Sequence, residues 1–147
     1  MSSRWRPDDS FLEMEDGELR GVRRVMKALK ENGVAARRGV LTSLDEGVEG
    51  ARKALRRKNM PDGLQAWQEP VVLGPDKNVL AFRTEFEPGA VVPEHSHRVE
   101  LFRMIISGSV FHGDQELGPG HWMSIEADAP YELRAGSDGC VIFHMYW

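Results

Sequence analysis

Residues 89–108 read GAVVPEHSHRVELFRMIISG, and this stretch decides how the rest of the chain is read. His95 and His97 form an H-x-H pair. On an extended strand, side chains two apart share a face, so one metal ion can take both imidazoles. Glu100 follows at the head of an apolar run, LFRMII, that reads as the next strand, so its carboxylate can return to the same place. Two imidazoles and a carboxylate with open positions suit a non-haem Fe(II) centre, and such a set also holds Mn, Ni or Zn.

The inward face of that next strand can be read in two registers, because a shift of one residue exchanges its faces. In the favoured register Glu100, Phe102, Met104 and Ile106 point in, which buries one carboxylate beside two histidines and leaves Arg103 in water. A bulge near Ile106-Ser107 then absorbs the extra residue. In the other register Leu101, Arg103 and Ile105 point in, and Arg103 becomes an anion-binding residue inside the fold.

From Pro70 onward, short strand-like runs alternate with turn chemistry every eight to twelve residues. The runs are VVLG, NVLAFRTEF, the H-x-H strand, SVFHGDQEL, HWMSI, YELRA and CVIFHMYW. The turns include Asp76-Lys77-Asn78, Gly113-Asp114, Gly118-Pro119-Gly120 and Gly136-Ser137-Asp138-Gly139. The expectation is a mainly β jelly roll or barrel over residues 67–147.

Residues 1–66 differ. They carry 14 Lys/Arg against 11 Asp/Glu, whereas residues 67–147 carry 5 against 12. Residues 1–14 read as an extended arm whose Trp5, Phe11 and Leu12 dock on the barrel or on a partner subunit. Between Asp16 and Glu31 the positions Leu19, Val22, Val25, Met26 and Leu29 keep helical spacing, stopped by Asn32-Gly33. Ser43 with Glu46 reads as a capping box for a second helix that carries Leu44, Val48, Ala51 and Leu55 on one face and ends at Asn59-Met60-Pro61. The basic residues are interleaved with acids and the linker between the helices is long, which argues against a DNA-reading helix pair. A helical cover for the barrel, or a homodimer contact, is the expected role.

The order of Gly89, His95, His97 and Gly108 resembles the first motif of the cupins, which runs Gly, five residues, H-x-H, three or four residues, Glu, six residues, Gly. Glu100 stands one residue early, and Leu101 occupies the carboxylate position. The second cupin motif, PxGxxH, falls on GHWMSIEADAPYE, where an ungapped reading puts Tyr131 at the histidine position. The resemblance implies a cupin barrel with an N-terminal two-helix appendage. It also implies a divalent metal, Fe(II) first and Mn, Ni or Zn next, held by His95, His97 and Glu100. Tyr131, or His144 in the last strand, would complete the shell or move protons. Phe82, Phe102, Met104, Trp122 and Phe143 would wall a pocket for a small organic substrate, with Arg103 there in the second register. Dioxygenation follows first from such a centre; a metal-dependent isomerase, cyclase or lyase, and a non-catalytic sensor, are the alternatives.

No signal-peptide pattern is present and no apolar run approaches the ~18 residues of a membrane span, so a cytoplasmic protein is expected. Cys140 is the one cysteine, so no disulfide framework exists, and its apolar run suits a buried thiol. P-loop, dinucleotide-binding and G-x-S-x-G patterns are absent from the sequence.

Overall fold

The computed structural model describes residues 5–36, 39–74 and 78–147. The chain enters as an extended segment, makes a short 3-10 turn at Ser10–Leu12, and forms a small hairpin from β1 (Met14–Glu15) and β2 (Glu18–Leu19). Asp16 and Gly17 turn that hairpin, both with positive φ. Asp-Gly is the usual chemistry of such a turn, so the helix expected from Asp16 starts only at α1 (Arg20–Glu31). Gly33, at φ 72, stops it as expected.

The second helix is shorter than its apolar face suggested, α2 spanning Val48–Ala54. The expected Ser43–Glu46 box does not cap it. Thr42 and Asp45 instead bond to each other in a separate turn, and Leu44 is 94% exposed. Gly47 takes the cap position at φ 89, where a Cβ would lie 2.3 Å from the Asn32 carbonyl oxygen. Close approach of the two helices, and not a side-chain cap, therefore sets where α2 begins. Val25, Ala28 and Leu29 of α1 close on Val48, Ala51 and Leu55 in a small core of their own.

The remaining strands are β3 (Leu64–Gln68), β4 (Leu80–Phe86), β5 (Val91–His95), β6 (Leu101–His112), β7 (Gln115–Leu117), β8 (Trp122–Ile125) and β9 (Tyr131–Tyr146). They form one seven-stranded sheet in the order β3-β4-β9-β6-β7, with β5 added to β9 and β8 to β6. The architecture is mainly β, a jelly roll with two helices ahead of it. β3 straddles the point at which the charge balance of the chain changes. VVLG contributes only the isolated bridge Leu73–Val79, and the turn expected at Asp76-Lys77-Asn78 falls largely outside the described residues.

β9 departs most from the sequence pattern. Gly136–Gly139, expected to separate two strands, lies inside one continuous strand. Its first half pairs with β5 and the end of β6, and its second half pairs with β4 and the start of β6. The glycines permit the bend between the halves: Gly139 has φ 73, and a Cβ on Gly136 would lie 2.2 Å from Ser109 Oγ. β6 and β9 thus span both layers, and the core between them gathers Phe82, Leu101, Ile105, Val110, Leu133, Ile142 and Tyr146. Phe11 and Leu12 join this core, as expected of the arm. Cys140 is buried in it, and burial pushes its thiol up to about 11. No helix of the described residues is long and apolar enough to cross a membrane.

Candidate metal centre

β5 carries His95 as its last residue, paired across the ladder with Tyr131, the first residue of β9. His97 lies beyond the strand end, in the loop to β6, so the two histidines do not share one strand face as expected. The loop nevertheless brings their rings together. His95 Nε2 is 3.1 Å from His97 Nε2, and Tyr131 Oη lies 3.1 Å from the first and 3.2 Å from the second.

The outer nitrogens fix what these three atoms present. His95 Nδ1–H donates to the Pro93 carbonyl at 2.8 Å. His97 Nδ1–H donates to the Asp9 carboxylate, 3.1 and 3.2 Å from its two oxygens. A carbonyl and a carboxylate only accept, so each neutral imidazole turns a bare Nε2 lone pair inward. Burial, above all, lowers His95 to about 4, against the Pro93 bond that favours its charged form. Tyr131 Oη accepts from Arg103 Nη2 at 2.9 Å and has a single proton to give. Burial pushes the Tyr131 phenol up, against the pull of Arg103, and keeps that proton in place. Two lone pairs 3.1 Å apart with one proton between three acceptors repel each other, and a positive charge among them, a shared proton or a metal ion, removes the conflict.

The triangle has the size a metal requires. At donor distances of about 2.1 Å, neighbouring corners of a coordination polyhedron are about 3.0–3.4 Å apart. The outer hydrogen bonds are those that orient metal-bound histidines. The residues present therefore fit a divalent metal held by His95 and His97, with the protonated Tyr131 beside it and with Asp9 and the Pro93 carbonyl behind the histidines.

Glu100 is not in the cluster. It is exposed, whereas Leu101, Arg103 and Ile105 of β6 are 1%, 5% and 1% exposed, so the second register is the one adopted. The reason is visible in the pairing: Leu101 and Arg103 face Tyr146 and His144, whose positions on β9 are buried, and this fixes the parity of β6. The expected bulge exists, between Ile105 and Ser107, but it follows an inward row opposite to the favoured one. Phe102, Met104 and Phe143 consequently stand half-buried on the outer face, and Trp122, 60% exposed, stacks there on Phe102. These four do not wall the interior. Phe82 does point inward and is fully buried.

His144 is buried on the inner face, with Nε2 2.8 Å from Thr84 Oγ1. That bond sets its Nε2 apart from the three-donor cluster. Burial holds it well below its usual 6.5, with the Arg103 charge acting in the same direction. A cavity of about 30 Å³ is lined by His144, Arg103 and the two cluster histidines together with Trp5, Pro7 and Asp8 of the arm. Trp5 lies edge-on to His95 at 5.1 Å and donates from Nε1 to the Asn59 carbonyl at 2.8 Å. Arg57 donates to the Asp8 carbonyl. Asp9 and Arg57 escape sequence reasoning, whereas Trp5 docks on the fold, one of the two places expected for the arm. The arm has no periodicity, and Asp9 meets a residue 88 positions away.

No protein-family model matches the sequence, and no curated protein matches it at a significant level. Solved structures do match in fold. A chain of the Rhodobacter sphaeroides SigE complex with the anti-sigma ChrR superposes with a TM-score of 0.54 at 16% identity, over 63% of this chain and 48% of that one. Oxalate decarboxylase from Bacillus subtilis gives 0.50 at 17% identity, over 62% and 26%. An RmlC-like cupin from Shewanella frigidimarina gives 0.49 at 18%, over 59% and 78%. The chain has the cupin fold. It spans about half the length of the first of these matched chains and about a quarter of the second. The position that the motif resemblance gives to a second histidine carries Tyr131 in this chain, and the strand pairing sets it beside His95.

Proposed function

We propose that this cupin is a metal-dependent enzyme acting on a small organic molecule by proton transfer, in the manner of an isomerase, cyclase or lyase. The observation that carries the reading is the triangle of His95 Nε2, His97 Nε2 and Tyr131 Oη, with both Nδ1 atoms tied back. His95 and His97 would hold a divalent ion there, Fe, Mn, Ni or Zn, which when bound would supply Lewis acidity toward a substrate oxygen. The protein's own groups do the rest. Tyr131 holds a proton on Oη, and Arg103 Nη2 stabilises negative charge on that oxygen when the proton leaves. Asp9 and the Pro93 carbonyl orient the imidazoles, and the Trp5–Asp8 segment excludes water. Dioxygenation rested on a carboxylate ligand, and Glu100 in solvent withdraws that support.

Elemental analysis of the untagged protein, purified and then loaded anaerobically with Fe(II), Mn, Ni or Zn, is the test. Near-stoichiometric metal in the wild type and little in His97→Ala is the expected result; a wild type that retains none of the four overturns the reading. A second reading, a non-catalytic ligand sensor, is favoured by one feature, the chain's own arm lining the cavity through Trp5, Pro7 and Asp8. Stoichiometric metal without turnover of any small-molecule panel would select it.

A further inference from the structure

Arg103 sits inside the fold at 5% exposure, and only its Nη2 is engaged, by a neutral phenol oxygen. Its Nε and Nη1 are buried and have no partner among the described residues. Among the described residues no carboxylate pairs with this guanidinium. A buried cation without a counter-charge is costly, and folds keep one where something else supplies the anion. The surroundings add to the demand. Arg57 lines the same cavity, and the two carboxylates of the arm are engaged elsewhere: Asp8, also at the cavity, is exposed and accepts from the Ser10 amide, and Asp9 accepts from His97. His144 presents a buried Nδ1, also without a partner, to that interior. A metal ion at the histidines would add further positive charge.

We propose that Arg103 is an anion subsite for the carboxylate group of a small organic acid, the substrate class of the site described above. The inference rests on that site for its catalytic meaning but not for its binding. A guanidinium presents N–H groups in a planar fork that matches a carboxylate, and here the unpartnered donors belong to one rigid plane beside Tyr131. The ligand's carboxylate meets Arg103 while the rest of the molecule lies toward Tyr131 and the histidines, where the proton transfer takes place. At about 30 Å³ the cavity has room for little more than a water, so the organic part of the acid takes space now filled by the arm's Trp5 and Pro7. Binding therefore moves the arm.

The test compares acids with their uncharged amides of the same shape. Acetate, benzoate and succinate are titrated against acetamide, benzamide and succinamide, at constant ionic strength in chloride, with calorimetry and thermal shift as readouts. The expected result is binding of at least one acid 10-fold or more tighter than its amide, together with increased proteolysis between residues 5 and 9. Arg103→Lys should weaken that binding at least 10-fold, and Arg103→Met should abolish it. The wild type alone decides should either variant fail to fold. Equal affinity for acid and amide, or phosphate binding tighter than every carboxylate, overturns the proposal. The same titration on His95→Ala, with its metal content measured, keeps the two readings apart. Acid binding that persists without metal supports the subsite whatever the fate of the metal centre, and acid binding lost with the metal assigns the carboxylate to the metal and overturns the subsite.

Discussion

The two faces of β6 invert the usual arrangement of a half-buried strand. Its outer face carries Phe102, Met104 and Ile106, all apolar, with Ile106 54% exposed. Its inner face carries Leu101, Arg103 and Ile105, and the arginine is almost completely buried. Apolar count alone would assign the faces the other way. What decides between them is the partner strand: β9 presents Tyr146, His144 and Ile142 inward, opposite Leu101, Arg103 and Ile105, and the parity of β6 follows from that register. A strand that buries its charge and exposes its methyl groups has given up stability for something inside, and the difference between the two rows can be measured.

The largest effect is expected where the rows change places. After Ile105 the bulge shifts the register, Ile106 and Ser107 are both exposed, and Val110 becomes the next fully buried residue. Gly108 permits this at φ 71, and a Cβ there would lie 2.1 Å from the Gly139 carbonyl oxygen. Gly108→Ala should therefore cost about 3 kcal/mol from left-handed strain and backbone overlap together. Denaturant unfolding measures it, and a loss below about 1 kcal/mol would mean that the close approach is soft.

Next comes the buried charge itself. Arg103→Met removes two unpartnered nitrogens and keeps the length of the side chain, so the variant should be more stable than wild type by about 1–2 kcal/mol. It should also lose function, the usual sign of a residue kept for chemistry. A destabilised variant would show that the guanidinium has a structural partner after all, and the contrast between the faces would weaken accordingly.

His144, which faces Arg103 across the ladder, gives a smaller effect with a defined sign. Burial, then the charges of Arg103 and Arg57, then His97, hold its folded-state pKa below the unfolded value of 6.5. The unfolded chain therefore binds the proton more readily. The contribution to stability is complete above 6.5 and declines as the pH falls below it. The difference in unfolding free energy between metal-free wild type and His144→Gln should shrink between about pH 7 and pH 5. A difference independent of pH would show that His144 is already charged in the fold.

Much of this organisation was legible in the sequence. Turn residues at regular spacing marked the β architecture, Asn32-Gly33 marked the end of α1, and the H-x-H pair marked two histidines whose rings meet. Each is a local signal, set by backbone conformation within a few residues. The rest depended on contacts between distant parts of the chain. Asp9 reaches His97 through an arm without period, Gly47 caps α2 because Asn32 lies against it, and the bend of β9 at Gly136–Gly139 follows from strands on both of its halves. The register of β6 belongs with these. Both parities satisfied every local rule, and reading burial from hydrophobicity selected the wrong one because the inner face holds a buried charge, Arg103.

The smallest expected effect is the sharpest check on that parity. Glu100 was the natural third ligand when the outer row was read as inner, and removing its charge would then have stripped the metal from the site. In the structure its side chain is exposed, and its backbone oxygen, which accepts from the Trp147 amide at 3.2 Å, is untouched by a side-chain change. Glu100→Gln should therefore leave the metal-to-protein ratio where the wild type has it and change stability by no more than about 0.5 kcal/mol. His97→Ala, three residues earlier, should empty the site. Were Glu100→Gln to lose metal as His97→Ala does, the carboxylate would have to turn inward when the ion binds. The loop between His97 and Leu101 would then rearrange, and the contrast between the two faces of β6 would describe only the metal-free protein.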